Sequence, residues 1–215
     1  MIERELKYQI SRENFMILKE NFEVNLQKIN SFKQKNFYFD TPKYNFKKNG
    51  MTIRIRVLNG CAPEFTIKKK FKNKFDKNYS EKYEKKFTLS MLEFEKILKG
   101  RFLNIERLYT EIERVYDGTE SMDKLIFIGC LETERTEYKL EGFEGKLCLD
   151  KNNILEEEDY ELEWETDEYE IAKNKILELF LNMRISPINN YDSKSTRLFK
   201  KFGMNNEVVE KERKQ

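Results

Sequence analysis

The sequence predicts an all-β dominated (α+β) fold, in which strands close into a barrel and helices pack on its outside. Strand-like segments dominate the 215 residues, and several carry a charged residue at every second position with apolar residues between them. Acidic and basic faces also lie on different strands. A solvated face would intersperse the two signs, because like charges at i and i+2 repel. A closed barrel with a charged lumen explains this segregation.

Alternating polarity and β-branched or aromatic residues mark the strands. Glu3, Glu5 and Lys7 share one face of the first strand, while Leu6 and Tyr8 lie on the other. Taken alone, this alternation is more typical of the solvated side of an amphipathic sheet. The segments predicted to be extended are residues 2–10, 35–40, 51–58, 64–71, 80–88, 110–117, 126–139, 144–150 and 159–166.

Helices are predicted between the strands from their start and stop signals. Ser90 and Glu93 form a capping box before an apolar pattern that Gly100 ends. A short helix after Thr41-Pro42 is expected to end near Gly50. The five predicted helices begin after Ser11, Thr41, Ser90, Asp167 and Ser193.

The chain is predicted to form a single domain over residues 1–204, followed by a polar tail at 205–215. It has no long Gly/Pro/Ser-rich linker and no repeat of solenoid length. The 39% hydrophobic share, with 17 Phe and 11 Tyr, indicates a packed core although 37% of residues are charged. Trp164, on an apolar strand face, is assigned to that core.

Composition excludes several classes of function. With 41 basic and 39 acidic residues the net charge is only +2, so we expect neither a nucleic-acid partner nor a membrane surface. No apolar run approaches a membrane span, and three scattered cysteines fit free thiols, so we expect a cytoplasmic protein. The absence of His removes Ser-His and Cys-His mechanisms, and Cys148 has no base partner. Any metal would need oxygen ligands.

The charged strand faces suggest phosphate chemistry. Arg54 and Arg56 project one way from one strand, and Lys68 and Lys70 from the next. Arg and Lys suit a polyanion, and the carboxylates of the 159–166 strand would repel that anion unless Mg²⁺ or Mn²⁺ bridged them. The residues alone leave two interpretations open, namely metal-assisted phosphoryl chemistry and an amphipathic sheet with surface salt bridges. The charged run beyond Lys68, to Lys86, is interpreted as a mobile hairpin.

Several motifs occur in the order of a known family, the CYTH domains or triphosphate tunnel metalloenzymes. The chain resembles this family over residues 2 to about 200, and most closely its short single-domain bacterial members. The motifs are Glu3-x-Glu5-x-Lys7, Phe37-Tyr38-Phe39-Asp40-Thr41-Pro42, Arg54-x-Arg56, Thr66-x-Lys68, Leu149-Asp150, Glu161-Leu162-Glu163-Trp164-Glu165 and Lys194-x-x-Arg197. The resemblance implies an eight-stranded antiparallel barrel forming a tunnel, which binds a triphosphate with Mg²⁺ or Mn²⁺.

The resemblance also implies roles for residues at matching positions. Metal ligation is implied for Glu3, Glu5, Asp150, Glu161, Glu163 and Glu165. Phosphate binding is implied for Lys7, Arg54, Arg56, Lys68, Arg135, Lys194 and Arg197. Glu5, Lys7 and Glu163 are the candidate catalytic residues. Many members have a basic residue two positions before Arg135, where this chain has Thr133, and Lys70 and Glu84 fit a solvated role equally well.

The expected function is therefore a metal-dependent triphosphatase acting on inorganic triphosphate, as a monomer or homodimer. Alternatives within enzymes are a class IV-type adenylate cyclase and a thiamine or nucleoside triphosphatase. A protein that binds triphosphate or polyphosphate without catalysis is the alternative from another class. Base recognition depends on tunnel-mouth residues outside the motifs, so the sequence leaves these open.

Overall fold

Eight antiparallel strands close into one barrel, as predicted. The computed structural model describes residues 1–71, 76–100, 106–118 and 125–202. Neighbouring strands around the barrel follow the order β1-β5-β4-β3-β2-β6-β7-β8, and β1 closes it by pairing with both β5 and β8. The strands are β1 Ile2–Ile10, β2 Gln27–Asp40, β3 Met51–Leu58, β4 Glu64–Lys70, β5 Tyr79–Thr88, β6 Ile126–Lys139, β7 Lys146–Ile154 and β8 Glu157–Glu165.

Six helices are described, and the predicted caps hold three of them. The hydroxyls of Ser11 and Ser193 each accept a backbone N–H three residues on, and Ser90 and Glu93 form the predicted capping box. Backbone N–H groups that lack an intrahelical partner are thereby satisfied. The helices are α1 Arg12–Asn25, α2 Asn45–Lys48, α3 Met91–Leu98, α4 Glu106–Glu113, α5 Tyr169–Asn182 and α6 Lys194–Lys201.

Two of the secondary-structure predictions are wrong. Residues 110–117, predicted as a strand, instead contain the end of α4, because Leu108 and Ile112 are buried at helical spacing. The strand β2 begins at Gln27, eight residues before the predicted start, because its first half is exposed and shows no alternation of polarity. The helix after Thr41 is a single turn, Asn45–Lys48. The predicted tail at 205–215 lies outside the described residues.

The apolar strand faces point outward and are covered by helices. On one side, Leu18 of α1 and Phe180 of α5 pack in a core with Leu6, Leu162 and the buried Trp164. A second core joins the outer faces of β3 and β4 to α3 and α4. A third cluster lies on the inward side, where Leu198 and Phe199 of α6 pack against Tyr38, Leu131 and Ile154 of β2, β6 and β7. This packing leaves the other face of each strand, with its charges, for the interior of the barrel. None of the described helices has the length and apolar character needed to cross a membrane.

Candidate functional site

The barrel interior is a charged cavity of about 980 Å³. Since side chains alternate along a strand, residues at every second position face this space. Of the thirteen residues that the family resemblance implicates, ten line it: Glu3, Glu5, Lys7, Arg54, Arg56, Lys68, Arg135, Glu163, Glu165 and Lys194. The other three, Asp150, Glu161 and Arg197, are buried behind this lining. The predicted residues therefore come together around one space.

Three carboxylates on β7 and β8 form the tightest acidic group among the residues that the structure describes. Asp150 and Glu161 are register partners on adjacent strands, and Glu163 lies two residues further on the same face of β8. One oxygen from each lies within 4.8 Å of the others, and all three side chains are buried. We call this group the carboxylate triad.

The ammonium of Lys194 lies at the centre of the carboxylate triad. Its Nζ is 2.7 Å from Asp150 Oδ2, 2.5 Å from Glu161 Oε2 and 2.7 Å from Glu163 Oε1. Lys194 is the first residue of α6, so the N-terminus of that helix carries the side chain into the barrel. In the structure, the protein itself therefore supplies the cation at the triad.

Two arginines hold the carboxylates of the triad. Arg135 binds Asp150 through Nε and one terminal nitrogen, at 2.8 and 2.7 Å, and also contacts Glu163. Arg197 makes a two-point contact with Asp159, at 2.8 and 3.0 Å, and binds Glu161 at 2.7 Å. Such forked contacts fix the orientation of the carboxylates.

The surrounding cations keep two members of the triad, Glu161 and Glu163, ionised. Burial by itself would raise the pKa of Glu161, but Lys194, Arg197 and Lys7 outweigh it and lower that pKa to about 2. Burial acts against the charge of Glu163 as well, yet Lys194 and Arg135 hold its pKa well below the ordinary range. Converging ionised carboxylate oxygens are the ligands that Mg²⁺ and Mn²⁺ prefer, so the residues present fit a divalent cation.

Glu3 and Glu5, the other predicted metal ligands on β1, belong to a second charged group. Lys68 Nζ lies 2.6 and 2.7 Å from the two oxygens of Glu3 and 3.0 Å from Glu84. Glu5 accepts hydrogen bonds from Lys82 and, at 3.0 Å, from Ser80. The sixth candidate, Glu165, contacts Arg135 at 3.2 Å. The structure thus divides the predicted metal ligands between two groups.

Arg54 and Arg56 on β3 are less neutralised than Arg135 and Arg197, the other two arginines of the site. Arg54 reaches Thr66 Oγ1 at 3.3 Å, and its nearest carboxylate oxygen, on Glu84, is 3.9 Å away. Arg56 donates from Nε to the amide oxygen of Asn36 at 3.1 Å, and no carboxylate of the described residues forms an ion pair with it. Burial lowers the pKa of Arg56 to about 10, and Arg54 adds to the effect. An anion in the cavity would be drawn to this pair.

Lys7 lies beside the carboxylate triad. Its Nζ donates to the carbonyl oxygen of Asp192 at 3.1 Å and is 4.0 Å from Glu161. Burial lowers the pKa of Lys7, with Arg197 acting in the same direction. The ammonium is therefore held close to the triad without a tight ion pair.

Sequence reasoning missed Lys82, Asn36 and Asp159. The alternation of Ser80, Lys82 and Glu84 gave a signal for an inward face, but the charged run was interpreted as a mobile hairpin. That interpretation is wrong for β5, which lies in the barrel wall. Asn36 and Asp159 gave no signal, since their roles come from partners distant in sequence.

Comparison with known proteins agrees with this architecture. The family model described as CYTH domain matches residues 1–192. A structure from Bacillus halodurans, described as a candidate adenylate cyclase, has a TM-score of 0.71 at 26% identity, covering 91% of this chain and 96% of that one.

Two further solved structures share the fold at lower identity. A Hippeastrum protein, described as a candidate adenylyl cyclase with a dominant triphosphatase activity, has a TM-score of 0.76 at 18% identity, covering 94% and 97% of the two chains. The PH1819 protein of Pyrococcus horikoshii has a TM-score of 0.59 at 18% identity, covering 93% and 99%. A search of curated proteins found no match.

Proposed function

The chain belongs to the CYTH domain family, and we propose that it is a divalent-metal-dependent triphosphatase that hydrolyses inorganic triphosphate inside its barrel. The observation that carries this proposal is the division of charge within one cavity. A triad of buried carboxylates lies on β7 and β8, and the sparsely neutralised Arg54 and Arg56 lie on β3. The triphosphatase activity described for the Hippeastrum protein supports the same reaction class.

The proposed phosphate ligands are the cations that line the cavity. Arg54 and Arg56 can present their terminal nitrogens to phosphate oxygens. Lys68 on β4 and Arg135 on β6 would reach the triphosphate from other walls of the barrel. Lys7 and Lys194 would complete this set, and Arg197, which is buried behind the lining, is the seventh candidate. Convergent charge of this kind orients the anion and offsets the charge that develops on its oxygens.

Asp150, Glu161 and Glu163 would hold Mg²⁺ or Mn²⁺, with Glu3, Glu5 and Glu165 as further candidate ligands. A bound divalent cation would supply neutralisation of phosphate charge. Glu5 and Glu163 are the proposed groups that position the attacking water by accepting its hydrogen bonds. Lys7, held 4.0 Å from Glu161, would donate to a phosphate oxygen beside them.

Inorganic triphosphate is proposed as the substrate because the inward faces of β1, β3 and β4 carry charged and hydroxyl groups rather than rings. A nucleoside triphosphate is the second candidate, for hydrolysis or for cyclisation, because the aromatic rings of Phe32, Tyr79 and Tyr191 also line the cavity. Phe32 is the register partner of Arg135, which places a ring beside a proposed phosphate ligand.

The test is phosphate and pyrophosphate release from inorganic triphosphate, ATP and thiamine triphosphate, with Mg²⁺, Mn²⁺ or a chelator. We expect hydrolysis of inorganic triphosphate with a higher kcat/KM than ATP, loss of activity in the chelator, and no cyclic AMP. Cyclic AMP formation from ATP would favour the cyclase, and tight triphosphate binding without release would favour a non-catalytic binder. Full activity in the chelator would contradict the metal assignment.

Glu163→Gln provides the matching variant, because it keeps size and hydrogen bonding but removes a charge from the triad. We expect turnover to fall at least about a hundredfold, with the circular dichroism spectrum unchanged. Glu157→Gln, at an exposed position on the same strand, serves as the control and should retain activity. A fully active Glu163→Gln protein would place the metal elsewhere.

A further inference from the structure

Lys194 occupies the position that a divalent cation would need. Its Nζ is within 2.7 Å of an oxygen from each member of the carboxylate triad, and those oxygens lie within 4.8 Å of one another. The space between these three oxygens cannot hold an ammonium and a metal ion together, since two cations a few ångströms apart repel strongly in a buried site. Binding a metal there requires Lys194 to leave.

The ligand-free triad is already neutralised by the chain. Asp150 is held by Arg135, Glu161 by Arg197, and all three carboxylates by Lys194. A free metal ion therefore gains less than it would from three unpaired carboxylates, because it must break existing ion pairs. The affinity of this site for free metal is reduced accordingly.

Lys194 is the cation of this cluster best able to move. Arg135 and Arg197 are fixed by two-point contacts, and their guanidinium groups are planar and rigidly oriented. Lys194 has a flexible four-carbon stem, and its recorded contacts within the described residues are those to the triad. Its side chain also lines the cavity, so a phosphate oxygen there could accept its ammonium.

We propose that Lys194 is a resident counter-ion that keeps free metal out of the triad until a triphosphate draws the ammonium away. The inference rests on the proposed function, because it takes the triad as the metal site and triphosphate as the anion. Metal and anion then bind cooperatively, each raising the affinity for the other by the same factor. In the empty tunnel, the ion pairs with Lys194 also reduce the cost of burying the three charged carboxylates.

Calorimetric titration with Mn²⁺ in the absence of anion tests the exclusion. Lys194→Met removes the ammonium while keeping an unbranched side chain, and it should bind Mn²⁺ at least about tenfold more tightly than the wild type. Lys201→Met is the matched control on the same helix, where the lysine pairs with the exposed Glu157 outside the triad. It should bind Mn²⁺ as the wild type does.

A second titration, with a non-hydrolysable bis-imido analogue of triphosphate present, tests the coupling. The anion should raise the affinity of the wild type for Mn²⁺ at least about tenfold and that of Lys194→Met by less. This comparison needs only the wild type if Lys194→Met does not fold, and Lys194→Gln provides a polar replacement of similar length.

The outcomes separate the two proposals. Wild-type protein that binds Mn²⁺ equally well with and without the anion, and as tightly as Lys194→Met, would overturn the role of Lys194 and leave the metal site standing. Failure of Mn²⁺ to bind either protein, even with the anion present, would overturn the metal-dependent function itself.

Discussion

Individual side chains in the barrel differ in how completely they are paired, and Arg54 is the least satisfied of the buried arginines. It is 8% exposed, yet its Nε has no hydrogen-bond partner and its nearest carboxylate oxygen is 3.9 Å away. A buried donor without a partner costs stability, which a ligand can recover. A bound anion could therefore supply the hydrogen-bond acceptor that Arg54 Nε lacks in the empty barrel.

Arg54→Ala should lower kcat/KM for inorganic triphosphate roughly ten- to a hundredfold, the typical cost of losing one charged hydrogen bond. The melting temperature should not fall, because the substitution removes like-charge repulsion between Arg54 and Arg56 and breaks no tight ion pair. Phosphate release and thermal unfolding are the measurements. Lys33→Ala, on the exposed outer side of β2, is the control. Unchanged triphosphate affinity and turnover would rule out binding at β3.

Asn36 shows why a neutral partner suits Arg56. Asn36 is 1% exposed, and its amide oxygen accepts a hydrogen bond from Nε of Arg56. This contact fixes the guanidinium and leaves its two terminal nitrogens for other acceptors. A carboxylate at this position would hold the arginine equally well but would cancel the charge that an anion needs. Neutral fixation thus preserves both orientation and charge.

A strand or helix can be predicted from the sequence when its own residues carry the pattern that defines it. β8 is correctly predicted because its alternation of carboxylates with Leu162 and Trp164 reflects its two environments directly. β2 is predicted only in its second half, since residues 27–31 are exposed and are ordered by pairing with β6, which is distant in sequence. The alternating residues of α4 resemble a strand, and only the buried positions of Leu108 and Ile112 reveal a helix.

The site follows the same rule. Spacing along single strands places Glu161 with Glu163 and Arg54 with Arg56, and the structure keeps those pairs on common faces. Spacing cannot show which pairs face one another across the barrel. The contact of Lys194 with Asp150, 44 positions apart in sequence, depends on α6 packing at the barrel.

The turn between β7 and β8 permits a prediction about stability. Leu155 and Glu156 form a two-residue hairpin loop, and both have positive φ, at 51° and 67°. Side chains other than Gly and Asn are disfavoured there, and a type I′ turn prefers Asn-Gly. Replacing Leu155-Glu156 with Asn-Gly should raise the free energy of unfolding by about 1 kcal/mol. Urea denaturation would measure the change.

The control for the hairpin places glycine one position later, in the strand. Glu157 pairs with Ile154 in the ladder, so Glu157→Gly should lower the free energy of unfolding, since glycine weakens a strand. If the Asn-Gly protein were also destabilised, the side chains of Leu155 or Glu156 would contribute more than the strain that their backbone imposes.

For the whole molecule, the interior charges form a network whose stability depends on ionised carboxylates. Burial opposes ionisation of Glu84, but Lys68 and Lys86 outweigh it and lower its pKa to about 2, as the cations around Glu161 do there. Asp40 behaves oppositely, since burial raises its pKa to about 6 despite three backbone N–H donors. Glu84 on β5 and Glu161 on β8 lie in different walls, so loss of their charges in acid should weaken the barrel on more than one side.

Acid unfolding is therefore predicted to occur mainly below pH 4.5. Groups whose folded pKa is lowered, such as Glu161 and Glu84, contribute fully above the ordinary value of 4.5, and that contribution is lost as pH falls toward 2. Asp40 has the opposite sign, so it should add to stability as pH falls from about 6 toward 3.8. Urea midpoints measured from pH 7 to pH 2.5 should thus hold or rise at first and then fall steeply. Glu84→Gln should be less stable than the wild type at pH 7 and closer to it at pH 2.5, because protonation removes the same charge. A constant difference across that range would show that Glu84 stabilises the barrel by packing and not by charge.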